Sequence, residues 1–364
     1  MSNLTVIDQI VHEIYTIQKN ADQRFWNEGI FPNTRLNKII GYSRPDNSIF
    51  HTASIVLILK NCKEYLSIEN QKVVEDIIEK STLNYIDYQN KNGILTYNFY
   101  PSKPSKHFGN GLFFKHFKHF QLPDDADDTA LIFLSKPHST LEVQWLQTKL
   151  KEHSNNGLKK IKNTFPQYKN LGAYSTWFGK NMPLEFDTCV LANVLLCLKS
   201  ASIELDDTGL ASWEYIKESI LSDDYISNPF LISHNYADSL IIAYHVARLL
   251  EKNIFPNSQE VKEKLIDDLL NFSQKNKTFN NILISSSLLR LGIDYKITFG
   301  FDEIKLAAQD FYFFKAGLLS SYENYILQKL AKYTLFHIHW ACPAHGYALA
   351  LENLILQNQF KKNA

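Results

Sequence analysis

Apolar positions recur at helical spacing along almost the whole chain, and they fall into two kinds of segment. Near 5–24, 69–90, 139–153, 208–221, 258–275 and 302–330 the pattern is amphipathic and rich in charge. Between these lie 49–59, 130–134, 189–198, 239–250, 281–291 and 347–356, which are apolar on nearly every side. A helix apolar all round is buried, whereas one with a polar face lies at the periphery. Six of each in alternation predict an all-α fold: a single (α/α)6 toroid over residues 1–364, an inner ring of six helices inside an outer six. An irregular helical bundle and a helical solenoid are the other arrangements the pattern allows. Strand signals are few, with 94–100 the best candidate for a short extended piece.

In an alternating toroid all inner helices run the same way, so their N-termini gather at one mouth. The starts of the apolar segments carry Asp46, Asn47 and His51; Asp125, Asp127 and Asp128; Asp187; His234, Asn235 and Asp238; Asn280; and His345. Six positive dipole ends at one mouth suit anions or carboxylates. The long connections 25–48, 91–124 and 155–185 lead into inner helices and would drape over that mouth as lids.

Composition narrows the function classes. Of 364 residues, 45% are hydrophobic and 13% aromatic, with 24 Phe and 19 Tyr, enough for a large core and for lining a cavity. Lys plus Arg and Asp plus Glu are 38 each, so the chain lacks the basic excess of a nucleic-acid binder. Its start shows neither a basic nor an apolar signal region. No apolar run reaches the roughly 18–20 residues needed to span a bilayer. Cys62, Cys189, Cys197 and Cys342 form no CxxC pair and read as buried reduced thiols. The expectation is a soluble cytoplasmic protein with no nucleic-acid partner and no transmembrane segment.

The candidate chemistry lies at Asp124, Asp125, Asp127 and Asp128, four carboxylates in five residues. A helix start needs one acidic cap, and crowded carboxylates raise one another's pKa. Asp125-Ala126-Asp127-Asp128-Thr129-Ala130 resembles the DxDD motif, with its following Thr-Ala, of class II terpene cyclases. That family includes squalene–hopene cyclase and the diterpene and drimenyl diphosphate cyclases, and it is built on α/α toroids. The resemblance implies that Asp127 is a general acid protonating an isoprenoid, with Asp125 and Asp128 orienting it and holding its proton. Such protonation needs an undissociated acid in a dry apolar cavity. Aromatic faces then stabilise the cation by about 1–2 kcal/mol each when desolvated.

Candidate substrate contacts are Tyr97, Phe99 and Phe114 from one long connection and Tyr174 and Trp177 from another. Asp187, His234, Trp340 and His345 at the mouth complete the set. The DDxxD motif of class I terpene synthases is missing in its usual form, so a substrate diphosphate would be retained. A Mg2+ ion enters only with a diphosphate substrate, and no other cofactor is implied. The family usually closes its cavity between two toroids, and this chain has room for one. The resemblance therefore leaves the second wall to a partner protein.

Three further patterns carry weaker chemistry. Asp187 and Cys189 with a distant His345 resemble the zinc site of protein prenyltransferase β-subunits, although a helix cap and a core thiol explain the pair more simply. His337 and His339 fall on opposite sides of a helix and converge only in an extended chain. No metal is assigned to either group. His107, His116 and His119, interleaved with Lys106, Lys115 and Lys118, make a basic loop suited to a diphosphate or simply to solvent. Two other functions fit the same fold. One is a carbohydrate-active enzyme pairing Asp127 or Asp128 with Asp187 or Asp238. The other is a non-catalytic toroid that binds a lipid or peptide.

Overall fold

The computed structural model describes residues 5–111, 114–118, 121–157, 159–179, 182–272, 277–317 and 319–363, with backbone alone at 114 and 361–363. Among these, twelve helices of eight residues or more follow one another. They are α1 (Val6–Lys19), α2 (Phe50–Cys62), α3 (Ile68–Leu83), α4 (Ala126–Ser135), α5 (Thr140–Glu152) and α6 (Thr188–Ser200). The second half of the chain adds α7 (Asp207–Leu221), α8 (Ser239–Leu250), α9 (Ser258–Phe272), α10 (Thr278–Arg290), α11 (Phe301–Ala308) and α12 (Pro343–Asn363).

The even-numbered helices are buried on nearly every side, and they close a circuit. Helix α2 packs on α4, α4 on α6, α6 on α8, α8 on α10, α10 on α12, and α12 returns to α2. Every residue of α2 from Phe50 to Leu59 is buried, as is every residue of α6 from Thr188 to Leu195. The odd-numbered helices lie against this circuit and bury one stripe each. Helix α9 buries only Val261, Leu265 and Leu269, spaced four apart. Local chemistry starts the outer helices independently of packing. Thr5 with Asp8 and Ser139 with Glu142 form capping boxes on α1 and α5.

The fold is helix-rich but not all-α. Four short strands, β1 (Asn33–Asn37), β2 (Tyr42–Asp46), β3 (Phe314–Gly317) and β4 (His337–Ala341), form an antiparallel sheet in the order β2-β1-β4-β3. Periodicity missed it because β1 and β2 are largely polar and the β1–β4 pairing joins residues about 300 positions apart. The connection 25–48 is therefore a hairpin, turned at Gly41 with φ +64°. The expected helix over 302–330 is also corrected: α11 ends at Ala308, and β3 and a short helix at Tyr325–Leu330 follow. His337 and His339 sit on a strand, not on a helix. The 94–100 stretch is extended, held by single bridges from Tyr97 to Gln89 and to Asp125. No helix among the described residues is long and apolar enough to cross a membrane.

The sheet is fastened to α2 by one buried cluster. Arg35 Nη1 on β1 lies 2.6 Å from Asp46 Oδ1 and 2.7 Å from the Tyr100 hydroxyl. Trp340 Nε1 on β4 donates to the other Asp46 oxygen at 2.7 Å. Burial pushes the Asp46 carboxyl up, and the Arg35 guanidinium pulls it back. Removing one partner of such a pair strands the other charge out of water. Arg35→Met is expected to destabilise the protein by about 3–5 kcal/mol, read by denaturant unfolding, and the Arg35→Met/Asp46→Leu double variant by markedly less.

Candidate functional site

The N-terminal ends of the even-numbered helices lie near one another. Asp125, Asp187 and Asp238 are the N-caps of α4, α6 and α8, each accepting backbone N–H bonds from the first turn. His51 in the first turn of α2 and His345 in that of α12 face each other, Nδ1 to Nδ1 at 3.0 Å. Phe279 at the start of α10 lies against Gly346 of α12, where an added Cβ would sit 2.8 Å from its ring. The space between these ends is filled with rings: Phe50 on Phe314 at 4.9 Å, Phe313 on His345 at 4.5 Å, and Tyr236 on His245 at 4.9 Å.

One narrow cleft remains against the acidic run. It is lined by Phe50, Phe99, Phe314, Trp177, Thr176, Val190 and Asn235, with Asp125, Asp127 and Asp128 at its base. Its volume of about 30 Å³ is room for one or two waters. Phe99 and Trp177 come from the long connections and Phe314 from the sheet.

The four carboxylates have different surroundings. Asp124 is a loop anchor, accepting from Asn90, Asn98 and, at 2.5 Å, Thr96. Asp127 accepts a hydrogen bond on each oxygen: Asn193 Nδ2 donates to Oδ1 at 2.7 Å and the Tyr236 hydroxyl to Oδ2. Arg248 donates to Asn193 Oδ1 and so fixes which way that amide points. Burial nevertheless raises the Asp127 pKa to about 6, against the pull of these donors. Asp125 Oδ1 accepts from the Asp128 backbone N–H at 2.8 Å. Asp125 Oδ2 and Asp128 Oδ1 are buried without a donor, and the two carboxyls face each other. Burial holds both pKa values well above the ordinary range, reinforced at Asp125 by the charges of Asp127 and Asp124 and at Asp128 by those of Asp125 and Asp127, so both carboxyls favour the protonated form.

The structure places the other candidate residues as follows. Phe99 and Trp177 line the cleft, and Trp177 Nε1 is buried without a partner. Tyr97 reaches the site only through its backbone, which receives the Asp125 N–H; its phenol lies toward Glu142. Tyr174 points away, donating to Asp206 of the α7 cap at 3.0 Å. Both residues face the outer layer because the extended backbone alternates its side chains. Trp340 is tied to Asp46, and His345 to His51, outside the cleft lining. Asp187 is fully engaged below the cleft by Ser233, Asn235 and its own helix. His234 is buried beside that network with both ring nitrogens unpartnered. The Phe114 side chain lies outside the described residues.

Sequence reading missed Phe50, Phe314, Tyr236 and Asn193, which carry no motif of their own, and also Glu185. Glu185 is 2% exposed and accepts from Asn235 at 3.0 Å. Burial and then the neighbouring Asp187 raise its pKa to about 8. Among the described residues no group of three or more His, Cys, Asp or Glu side chains is placed to hold a metal ion. Asp187 and Cys189 act as a cap and a buried thiol.

Comparison with known proteins finds no match to any family model, curated protein or solved structure.

A raised carboxyl pKa means the folded state favours the protonated form. The Glu185 contribution to stability is complete below pH 4.5 and disappears as pH rises through about 8. The expected loss is on the order of 4 kcal/mol for this residue. Calorimetric Tm at pH 5 and pH 8 should show a clear fall in the wild type and a smaller one in Glu185→Gln.

Proposed function

We propose that the closed helix circuit is an (α/α)6 toroid whose acidic mouth protonates an isoprenoid, as in class II terpene cyclases. The observation that carries this reading is the buried carboxyl pair Asp125–Asp128 at the base of an aromatic, apolar cleft, each with an oxygen that has no donor; burial raises both pKa values and so favours the acid form. Both Asp127 oxygens already accept hydrogen bonds, so the proton donor is Asp128 with Asp125, and Asp127 is the fixed negative charge beside it. The resemblance alone pointed to Asp127 as donor; the hydrogen bonds favour its neighbour.

In the reaction Asp128 gives its proton to one carbon of a substrate double bond. The resulting cation is attacked by the next double bond, closing a ring. A proton lost from the last cation returns to the carboxylate, so the step is an isomerisation. Phe50, Phe99, Phe314 and Trp177 present ring faces or edges to the cleft, and cation–π attraction is strongest where water is excluded. A prenyl chain needs on the order of 300 Å³ or more, about ten times the cleft volume. Entry therefore requires the roof rings of Phe99, Trp177 and Phe314 to swing aside.

A second reading rests on that same narrowness: a sealed axis is what a non-catalytic binding protein would have. The glycoside reading needs two carboxylates across a groove. The larger groove on the molecule is lined by one carboxylate, Asp87, among the described residues.

Incubation with farnesyl diphosphate, geranylgeranyl diphosphate and squalene, followed by mass-spectrometric product analysis, decides between them. Cyclic products from the wild type are expected, falling at least about 100-fold in Asp128→Asn. A smaller fall is expected in Asp127→Asn, with circular dichroism confirming the fold of each variant. No turnover of any of the three, or turnover indifferent to both substitutions, would leave the non-catalytic reading.

A further inference from the structure

A second concavity, wider than the acidic cleft, is a groove of about 380 Å³ lined in part by Asn47. No residue lines both. One wall is the segment after α1, with Arg24 and Trp26; the other is the loop from Pro101 to His116. Its charge is one-sided. Lys103, Lys106 and Lys115 line it with His107 and His116, and none of the three lysines has an acidic partner among the described residues. Arg24 is paired with Asp22, and Asp87, the one lining carboxylate among the described residues, accepts from Asn27 at 3.2 Å. Like charges gathered around a concavity repel one another until an anion enters.

The loop that carries the lysines is held in an uncommon shape. Phe108 and Asn110 both adopt left-handed backbone, φ 49° and 59°. Gly109 between them passes so close to Asn47 that an added Cβ would lie 2.4 Å from its Oδ1. Asn47 Nδ2 donates to the Lys106 carbonyl at 3.3 Å, and Asn110 Nδ2 to the Pro45 carbonyl at 3.1 Å. Arg35 reaches the Gly109 carbonyl from the buried cluster with Asp46. Backbone kept in sparsely populated regions by this many ties is characteristic of binding loops.

We propose that this groove binds the diphosphate group of a small molecule. The volume suits a small ligand and not a polymer. Three unpaired ammonium groups match the two to three negative charges of a diphosphate. One carboxylate is too few to hold a divalent ion, so the lysines meet the phosphates directly. Trp26 offers an adjacent aromatic face for whatever the diphosphate is attached to. The inference is independent of the acid-catalysis reading, and its test involves no turnover.

The test is isothermal titration calorimetry of the full chain with inorganic diphosphate, ADP and inorganic phosphate, in EDTA at low salt. Inorganic diphosphate and ADP are expected to bind with Kd below about 1 mM, phosphate at least tenfold more weakly, and all three less tightly as salt rises. ADP tighter than inorganic diphosphate identifies a ligand that also stacks on Trp26; equal affinities identify the diphosphate alone as what is held. Lys103→Gln/Lys106→Gln/Lys115→Gln should weaken binding at least tenfold without moving Tm, since these side chains are exposed. Asp87→Asn should tighten it severalfold. Absence of binding by both diphosphates up to about 5 mM overturns the proposal, as does affinity unchanged in the triple variant.

Discussion

The structure depends on the need to satisfy six helix N-termini brought together away from water. Each helix start carries backbone N–H groups with no partner inside its own helix. Packing the even-numbered helices into a closed circuit concentrates those donors at one end. Asp125, Asp187 and Asp238 answer them on three successive inner helices. Each cap then becomes a buried carboxylate that needs donors of its own. Ser233 and the Asn235 backbone serve Asp187, while Asn193 and Tyr236 serve Asp127. Where donors run out, at Asp125 Oδ2 and Asp128 Oδ1, a retained proton is the remaining solution. The site's acidity is thus a consequence of how the core is closed.

Farther along the same helices, buried charge is handled differently. Arg290 of α10 pairs with Glu352 of α12 at 2.7 Å, and the Tyr244 hydroxyl of α8 donates to that carboxylate at 2.6 Å. A buried charge there is matched by an opposite charge. Among the described residues no cation is bonded to Asp125 or Asp128; Arg248 is one residue removed, behind Asn193. Tyr236, Asn193 and, more weakly, Arg248 lower the Asp127 pKa against burial, while burial and neighbouring carboxylates push those of Asp125 and Asp128 well above the ordinary range.

The sheet gives the mouth its roof and separates two environments. Arg35, Asp46, Tyr100 and Trp340 lock β1 and β4 onto the start of α2. On one side of that lock lie Phe99 and Phe314 above the acidic pair; on the other, the loop with Lys103, Lys106 and Lys115 borders solvent. An aromatic, proton-holding cleft and an open cationic groove stand side by side, sharing only the scaffold between them.

Much of this was legible in the chain. The two helix characters and their alternation follow from period alone, because buried and half-buried helices need different faces. The acidic run marked the site, since four carboxylates exceed what one cap requires. Tertiary structure decided the rest. The sheet arises from polar strands that pair across the length of the chain, which local propensity does not encode. Tyr97 and Tyr174 turned outward because backbone register, not residue type, chooses the face. Tyr236 and Asn193, distant in sequence and silent as motifs, became the donors that set the ionisation of Asp127. A sequence can supply an excess of carboxylates, but only the packed core determines which of them keeps its proton.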